Sequence, residues 1–316
     1  MPVNTDLFNE YLYSLIPEYK YPEMYAGVIE YLSRGGKRFR PVLLFLSYAS
    51  IKGYYHDILK YGAIIELFHN FTLIHDDIED GSELRRGKPT LHKQYGVPLA
   101  LNTGDALYTL VLRMVNEIED YHVREQYLLT FQEVVEGQSL DIFWRERQIF
   151  PSEKDYMRMI SKKTGALIGL SMYLGAYLAG IRDERYKQLG VDLGIAFQIQ
   201  DDVLNLISPP EYGKKWADDI TEGKRTIMVI KALENLPESS AAKLRKILDS
   251  KTDDETMKRE AIDLIEQGGG MSYAKDLLRN LFDSIDSRME QLFPANDSIY
   301  RKELFDLIEK MKVREK

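Results

Sequence analysis

The 316-residue chain contains no cysteine, which excludes disulfides and thiolate metal centres. It has no surplus of basic residues either: 42 Lys and Arg stand against 50 Asp and Glu, a net charge of −8. Nucleic-acid binders are usually basic, so a partner of that class is not expected. The five histidines (His56, His69, His75, His92 and His122) show no zinc-ligand spacing. The N-terminal MPVNTDLFNEYLYSLIPEYK lacks a basic region followed by an apolar run, so no signal peptide is expected and the cytoplasm is the expected compartment. Long apolar runs are scarce. Thr164 to Ile181 is uncharged over 18 residues, the lower edge of a spanning helix, yet mean hydropathy is −0.34. It contains Gly165, Gly169, Gly175 and Gly180, so it reads as a buried helix whose small residues allow close packing, not as a transmembrane segment. Period-two alternation, tandem repeats and low-complexity linkers are also absent.

What is present is helical periodicity. Apolar residues recur at three- and four-residue steps in Phe8–Ile16, Pro41–Ala49, Ile58–Ile74, Asp105–Ile118, Arg124–Val135, Tyr156–Leu178 and Leu189–Ile207. A more charged version follows in Ala241–Leu248, Glu255–Gln267, Ser272–Leu292 and Tyr300–Met311. Ser152 with Asp155 reads as a capping box before Tyr156. Stop signals fall at Gly35-Gly36, Gly81–Pro89, Pro209-Pro210, Pro237 and Gly268–Gly270. With 44% hydrophobic residues a sizeable core can form. The expectation is one all-α domain over residues 1–316, a bundle of about ten or more helices.

Two acidic clusters interrupt the apolar helices: Asp76-Asp77-Ile78-Glu79-Asp80 and Asp201-Asp202-Val203-Leu204-Asn205. At about 100° per residue, Asp76 and Asp80 share a helix face, and so do Asp201 and Asn205. Carboxylates stacked this way repel, and burying them is costly without a cation. Carboxylate ligands suit Mg²⁺, which keeps several waters and takes one or two carboxylates plus substrate phosphates. Basic segments follow. Arg85-Arg86-Gly87-Lys88 lies just after the first cluster, beyond the helix-breaking Gly81. After the second come Gly213-Lys214-Lys215 and Gly223-Lys224-Arg225. Gly35-Gly36-Lys37-Arg38-Phe39-Arg40 lies near the N-terminus, and Lys162-Lys163-Thr164 at the mouth of the uncharged helix. Guanidinium forks match phosphate bidentately. Acids for metal, bases for phosphate and uncharged helices for a tail describe a site for a diphosphate head on a hydrocarbon chain. Each motif alone has a plain alternative: a solvated helix end, a surface loop, a cap or a snorkelling lysine pair. Their combination is what points to function.

In these stretches the sequence resembles the trans-isoprenyl diphosphate synthases of the polyprenyl synthetase family, in particular the archaeal-type geranylgeranyl diphosphate synthases. The resemblance runs from about Tyr31 to Leu292 and rests on GGKRFRP (35–41), ELFHNFTLIHDDIED (66–80), RRGKPTLH (85–92), GD (104–105), EGQSLD (136–141), KKTG (162–165), FQIQDDVLN (197–205) and GKKWADDITEGKRT (213–226). It implies an isoprenoid-synthase bundle around a central cavity, a homodimer, and condensation of isopentenyl diphosphate with allylic diphosphates. By the same resemblance Asp76 and Asp80 hold Mg²⁺ on the allylic diphosphate, with Asp77 orienting them, and Asp201 binds a further Mg²⁺ supported by Asp202 and Asn205. Arg85, Lys163, Lys224 and either Lys214 or Lys215 contact the allylic diphosphate. Lys37, Arg40, His69 and Arg86 grip isopentenyl diphosphate. Thr164 and Gln198 sit beside the developing carbocation, and Gln138 and Asp141 support them. The chain departs from the family pattern at Asn205, where many members have aspartate, and at the doubled Lys214-Lys215.

In this family the residues before the first motif set product length. Phe71 with the small Thr72 suggests a geranylgeranyl product, and Phe68 a floor against longer ones. Farnesyl or geranylfarnesyl diphosphate synthases are the nearest alternatives. A terpene cyclase shares the first motif, but its second motif does not match Asp201–Asn205. A non-catalytic regulatory subunit is expected to have lost acids that this chain retains.

Overall fold

The computed structural model describes residues 3–17, 22–207 and 216–313. Among these the chain is all-α apart from one two-residue ladder, as its periodicity predicts. In chain order the elements are α1 (Thr5–Ser14), α2 (Pro22–Ser33), α3 (Phe39–Lys52), α4 (Leu59–Glu79), the antiparallel pair β1 (Leu84–Arg85) and β2 (Lys88–Pro89), α5 (Leu91–Tyr95), α6 (Val97–Asn116), α7 (Tyr121–Glu146) and α8 (Glu153–Ile160). A π-helical turn, Ser161–Gly165, leads into α9 (Ala166–Leu178). Then come α10 (Arg185–Ile207), α11 (Asp218–Thr221), α12 (Ile227–Asn235), α13 (Glu238–Asp249), α14 (Glu255–Gln267), α15 (Gly270–Leu292) and α16 (Ile299–Lys312). None of the helices among the described residues is long and apolar enough to cross a membrane.

The chain divides into two compact units. The first comprises Met1–Phe131, Leu170–Lys187 and Ala295–Leu307, and the second Gln132–Gly169, Gln188–Pro294 and Ile308–Lys316. In the first, α4 packs against α6, α3 and α1. It is covered on most sides, burying Ile64, Ile65, Leu67, Phe68, Phe71 and Ile74 together with Glu66, Asn70 and Asp77. Gly62 permits the close approach of α3, since a Cβ there would lie 2.4 Å from the Phe45 ring. In the second unit α12 packs against α15, α14, α8 and α13 around Tyr156, Ile160, Ile199, Met228, Leu244 and Ile265.

Local signals explain most boundaries. Ser152 caps α8, its Oγ accepting from the Asp155 amide at 3.2 Å. Asn4, Thr226 and Asp254 cap α1, α12 and α14 in the same way. Four features differ from the sequence expectation. α2 was not anticipated because Gly27 interrupts its pattern; that glycine faces Thr103 of α6, where a Cβ would sit 2.9 Å from Oγ1. α12 begins with the unbroken apolar run Ile227–Ile230, buried throughout and so without a period. α7 continues through the polar stretch after Val135 to Glu146. The Tyr156–Leu178 helix is divided by the π-turn. The Pro209-Pro210 signal lies outside the described residues.

A buried ion pair ties α3 to α4 in the first unit. Arg38 Nη1 donates to Glu66 Oε1 at 2.8 Å, and both side chains are at most 3% exposed. Arg38 also donates to Asn9 Oδ1 at 2.9 Å and to the Leu32 carbonyl at 3.2 Å, while Asn70 donates to Glu66. Removing one member of such a pair leaves the other charge buried alone. Arg38→Ala should therefore cost about 3–5 kcal/mol in urea unfolding; a loss under about 1 kcal/mol would mean that Glu66 is effectively solvated.

Candidate functional site

In the first unit α4 ends in Asp76, Asp77 and Glu79, with Asp80 as its C-cap and no basic residue in its last turn. A helix C-terminus is itself electronegative, so the acids add to an unfavourable field that a cation relieves. Asp76 and Asp80 are both half-buried, and the Asp80 amide donates to the Asp76 carbonyl at 2.8 Å. Asp77, rotated about 100° from Asp76, points inward and is 1% exposed. Arg85 Nε and Nη2 both donate to its Oδ1, at 2.8 and 2.6 Å. Burial pushes the Asp77 carboxyl up, and Arg85 opposes the shift.

The β1–β2 hairpin delivers Arg85. Gly81 (φ +66°) leaves α4, and Arg86 and Gly87 (φ +54° and +74°) form the two-residue turn, both left-handed as a tight hairpin requires. Arg86 Nη1 donates to the Gly35 carbonyl, joining the hairpin to the glycine loop before α3. Gly36 makes room for it, since a Cβ there would lie 2.9 Å from Arg86 Nη2. Lys37 in that loop is exposed, whereas Arg38 belongs to the buried pair described above. Arg40 Nη1 lies 3.1 Å from His69 Nε2. A guanidinium only donates, so Nε2 is the acceptor. Burial, and then the charges of Arg40, Arg86, Arg85 and Arg38, hold His69 well below its ordinary range, so it is neutral.

Aromatic side chains lie one to two turns before the acids. Phe71 stacks on Tyr108 of α6 (4.8 Å, 18°) and meets His75 edge-on at 4.7 Å. Phe68, fully buried, stacks on Phe131 of α7 at 3.7 Å. Thr72 donates to the His69 carbonyl of its own helix. Gly104 explains the GD pair: a Cβ there would lie 2.4 Å from the His75 ring, whose Nε2 is 3.6 Å from Asp105 Oδ1.

The second unit repeats the sorting of acids. On α10, Asp201 is half-buried while Asp202 is 4% exposed. Gln198 Nε2 donates to Asp202 Oδ1 and Tyr156 Oη to Oδ2, each at 2.8 Å. Burial first, and then the nearby Asp219, push Asp202 up to about 7. Asn205 Oδ1 accepts the Asp219 amide at 3.1 Å. Lys224 donates to Asp219 Oδ1 at 2.7 Å and pairs with Glu222. On the π-turn, Lys163 donates to the buried Asp141 at 2.6 Å and Thr164 Oγ1 to Gln198 Oε1 at 2.8 Å. Burial would raise Asp141, but Lys163 and Arg145 outweigh it and hold the carboxyl at about 2. Gln138 is half-buried on α7.

Lys214 and Lys215 lie outside the described residues. Tyr108, Arg145, Tyr156 and Asp219 are not singled out by the sequence. Of these only Asp219 sits within a quoted motif; the others join through tertiary contacts that spacing does not reveal. Among the described residues no three His, Asp or Glu side chains converge as a ready-made metal cage. A Mg²⁺ that shares its coordination between one or two carboxylates, waters and a phosphorylated ligand needs no such cage, and half-buried carboxylates at a helix C-terminus fit that arrangement.

Because folding holds His69 neutral, the unfolded chain binds more protons below about pH 6.5, so stability falls as pH drops. His69→Asn should remove this component. The stability of the parent relative to the variant should then decline by up to about 1.4 kcal/mol per pH unit between pH 6.5 and 5.5; a constant difference would show that His69 titrates normally.

Comparison with known proteins gives the family. The profile of the Polyprenyl synthetase family matches residues 22–265. The chain is 39% identical over 261 residues to the short chain isoprenyl diphosphate synthase of Methanocaldococcus jannaschii, covering 80% of this chain and 79% of that one. It is 35% identical over 310 residues to the geranylgeranyl pyrophosphate synthase of Geoglobus acetivorans, covering 96% and 95%. The crystal structure of the Pyrococcus horikoshii geranylgeranyl pyrophosphate synthetase superposes with a TM-score of 0.87 at 32% identity, over 98% and 96% of the two chains.

Proposed function

The chain belongs to the polyprenyl synthetase family and is a prenyltransferase, and on that footing we propose that it condenses isopentenyl diphosphate head-to-tail with allylic diphosphates, using Mg²⁺ and yielding chiefly geranylgeranyl diphosphate. In this proposal residues 1–316 act as one polyprenyl synthetase domain. The observation that carries it is the sorting of each acid pair: one aspartate is buried on protein partners while its neighbour on the same helix stays half-buried.

Asp76, Asp80 and Asp201 would hold Mg²⁺, which neutralises charge on the diphosphate. Asp77 would orient Asp76 and Asp80, and Asp202 and Asn205 would support Asp201, Asn205 while accepting the Asp219 amide of α11. Arg85, Lys163, Lys224 and Lys214 or Lys215 stabilise the leaving diphosphate as the allylic C–O bond ionises. Lys37, Arg40, Arg86 and neutral His69 orient isopentenyl diphosphate, whose double bond attacks the cation. Thr164 and Gln198 lie beside that cation and apolar walls keep water from it. The proton lost afterwards passes to the released diphosphate. The stacked Phe71–Tyr108 and Phe68–Phe131 pairs support a limit on tail length.

A homodimer belongs to the same proposal. In the first unit Leu99 and Leu101 of α6 and Tyr121, Leu128 and Leu129 of α7 are exposed, 44–66% of each accessible. Apolar exposure of this kind is suited to burial against a second copy. Light scattering should give about twice the 36.7 kDa chain mass; a single species at the chain mass would refute it.

Product analysis tests the reaction. Incubation with Mg²⁺, isopentenyl diphosphate and dimethylallyl, geranyl or farnesyl diphosphate should give mainly the geranylgeranyl product. Asp76→Ala should lower turnover by at least about 100-fold, and Phe71→Ala should lengthen the products. A farnesyl or longer main product would refute the assigned length, and absence of elongation with every primer would refute the reaction.

A further inference from the structure

The π-turn that carries Lys163 and Thr164 is gripped from two sides in the second unit, and each grip has the same two parts. On α7, Gly137 lies so close that a Cβ would fall 2.3 Å from the Lys163 amide nitrogen and 2.8 Å from its Cα. One turn on, Asp141 receives Lys163 Nζ at 2.6 Å. On α10, a Cβ at Gly194 would fall 2.6 Å from Gly165 Cα and 3.2 Å from the Thr164 carbonyl oxygen. One turn on, Gln198 accepts from Thr164 Oγ1 at 2.8 Å. Residues four apart share a helix face. Each flanking helix therefore presents a bare backbone patch to the main chain of the turn and a polar group to its side chain.

A π-turn holds one more residue than an α-turn and persists only where its surroundings favour it. Released from contact, it could relax toward regular helix, and Lys163 and Thr164 would rotate together. We propose that Gly137 and Gly194 are positioning residues: by admitting the backbones of α7 and α10 against the π-turn, they fix Lys163 and Thr164 in the orientation that ionisation of the allylic diphosphate requires. This rests on the roles given to Lys163 and Thr164 above. Gly190 supplies the contrast. A Cβ there would fall 2.7 Å from Gly169 Cα and from the Ile168 carbonyl oxygen, an equally close helix contact one turn away from the π-turn.

The test compares Gly137→Ala, Gly194→Ala and Gly190→Ala for kcat, for KM of each diphosphate and for melting temperature. All three should lower the melting temperature. Gly137→Ala and Gly194→Ala should lower kcat by about 10- to 100-fold, as a misplacement of about 1 Å does, while Gly190→Ala stays within about threefold of the parent. Equal kcat losses in all three, or an unchanged kcat in Gly137→Ala, would overturn the proposal. Should the glycine variants not fold, Asp141→Ala keeps the close backbone approach and removes the side-chain part of one grip together with the Asp141–Arg145 pair; it must still lower kcat about tenfold, and an unchanged kcat overturns the proposal. If the parent chain itself condenses no substrate, the proposed reaction fails and the grip is read independently by hydrogen exchange. Gly137→Ala should then speed exchange at the Lys163–Gly165 amides at least about tenfold over Gly190→Ala, and equal rates overturn it.

Discussion

A carboxylate turned into the protein interior beside a half-buried one is the constraint on which the acidic cluster of each unit depends. Asp77 and Asp202 are 1% and 4% exposed, and desolvation penalises their charged forms. Neither can be left without partners, so each recruits its own surroundings. Asp77 takes both Nε and Nη2 of Arg85, and thereby the hairpin that carries Arg86. Asp202 takes Gln198 and Tyr156, and Gln198 in turn takes Thr164 from the π-turn. The neighbouring Asp76 and Asp201, about 100° round their helices, are left half-buried. A doubled aspartate thus provides one anchor and one ligand candidate.

The same division runs through the basic residues. Arg38 is spent on Glu66 in the core, whereas Lys37 beside it is exposed. The left-handed backbone at Arg38 (φ +49°) and at Gly35 and Gly36 (φ +78° and +142°) turns the chain sharply enough for consecutive residues to face opposite ways. Arg40, three residues beyond Lys37, reaches His69 instead, and burial together with the cationic surroundings keeps that imidazole an acceptor. A chain of net charge −8 can therefore carry a locally cationic patch, because the acids nearest to it are either buried in pairs or gathered on the helix end.

Periodicity made the all-α fold legible, and the face shared by Asp76 and Asp80 followed from spacing alone. The uncharged Thr164–Ile181 stretch was also legible: Gly165, Gly169 and Gly175 do meet neighbouring backbones at close range. What spacing could not show was which of two adjacent acids turns inward, since that depends on Arg85 and Tyr156 arriving from elsewhere in the chain. Nor could it show Tyr108 against Phe71, because a contact between α4 and α6 leaves no local pattern. The Tyr156–Leu178 helix looked continuous because a π-turn shifts the period by a single residue, within the tolerance of any apolar pattern.

The glycines in the motifs are informative for a related reason. Gly62, Gly104, Gly137 and Gly194 all lie inside helices, where glycine costs about 1 kcal/mol relative to alanine. Each is a place where a Cβ would strike a neighbour at 2.3–2.6 Å. The helical propensity lost at these positions is exchanged for proximity: of an aromatic ring at Gly62, of the His75 ring at Gly104, and of the main chain of the π-turn at Gly137 and Gly194. Only at the last two does the surface brought close carry residues implicated in the chemistry, and only there does the glycine lie one helical turn from the polar group that completes the contact. Proximity of backbone and direction of side chain are then set by one helix face, so a shift of α7 or α10 cannot disturb one without the other.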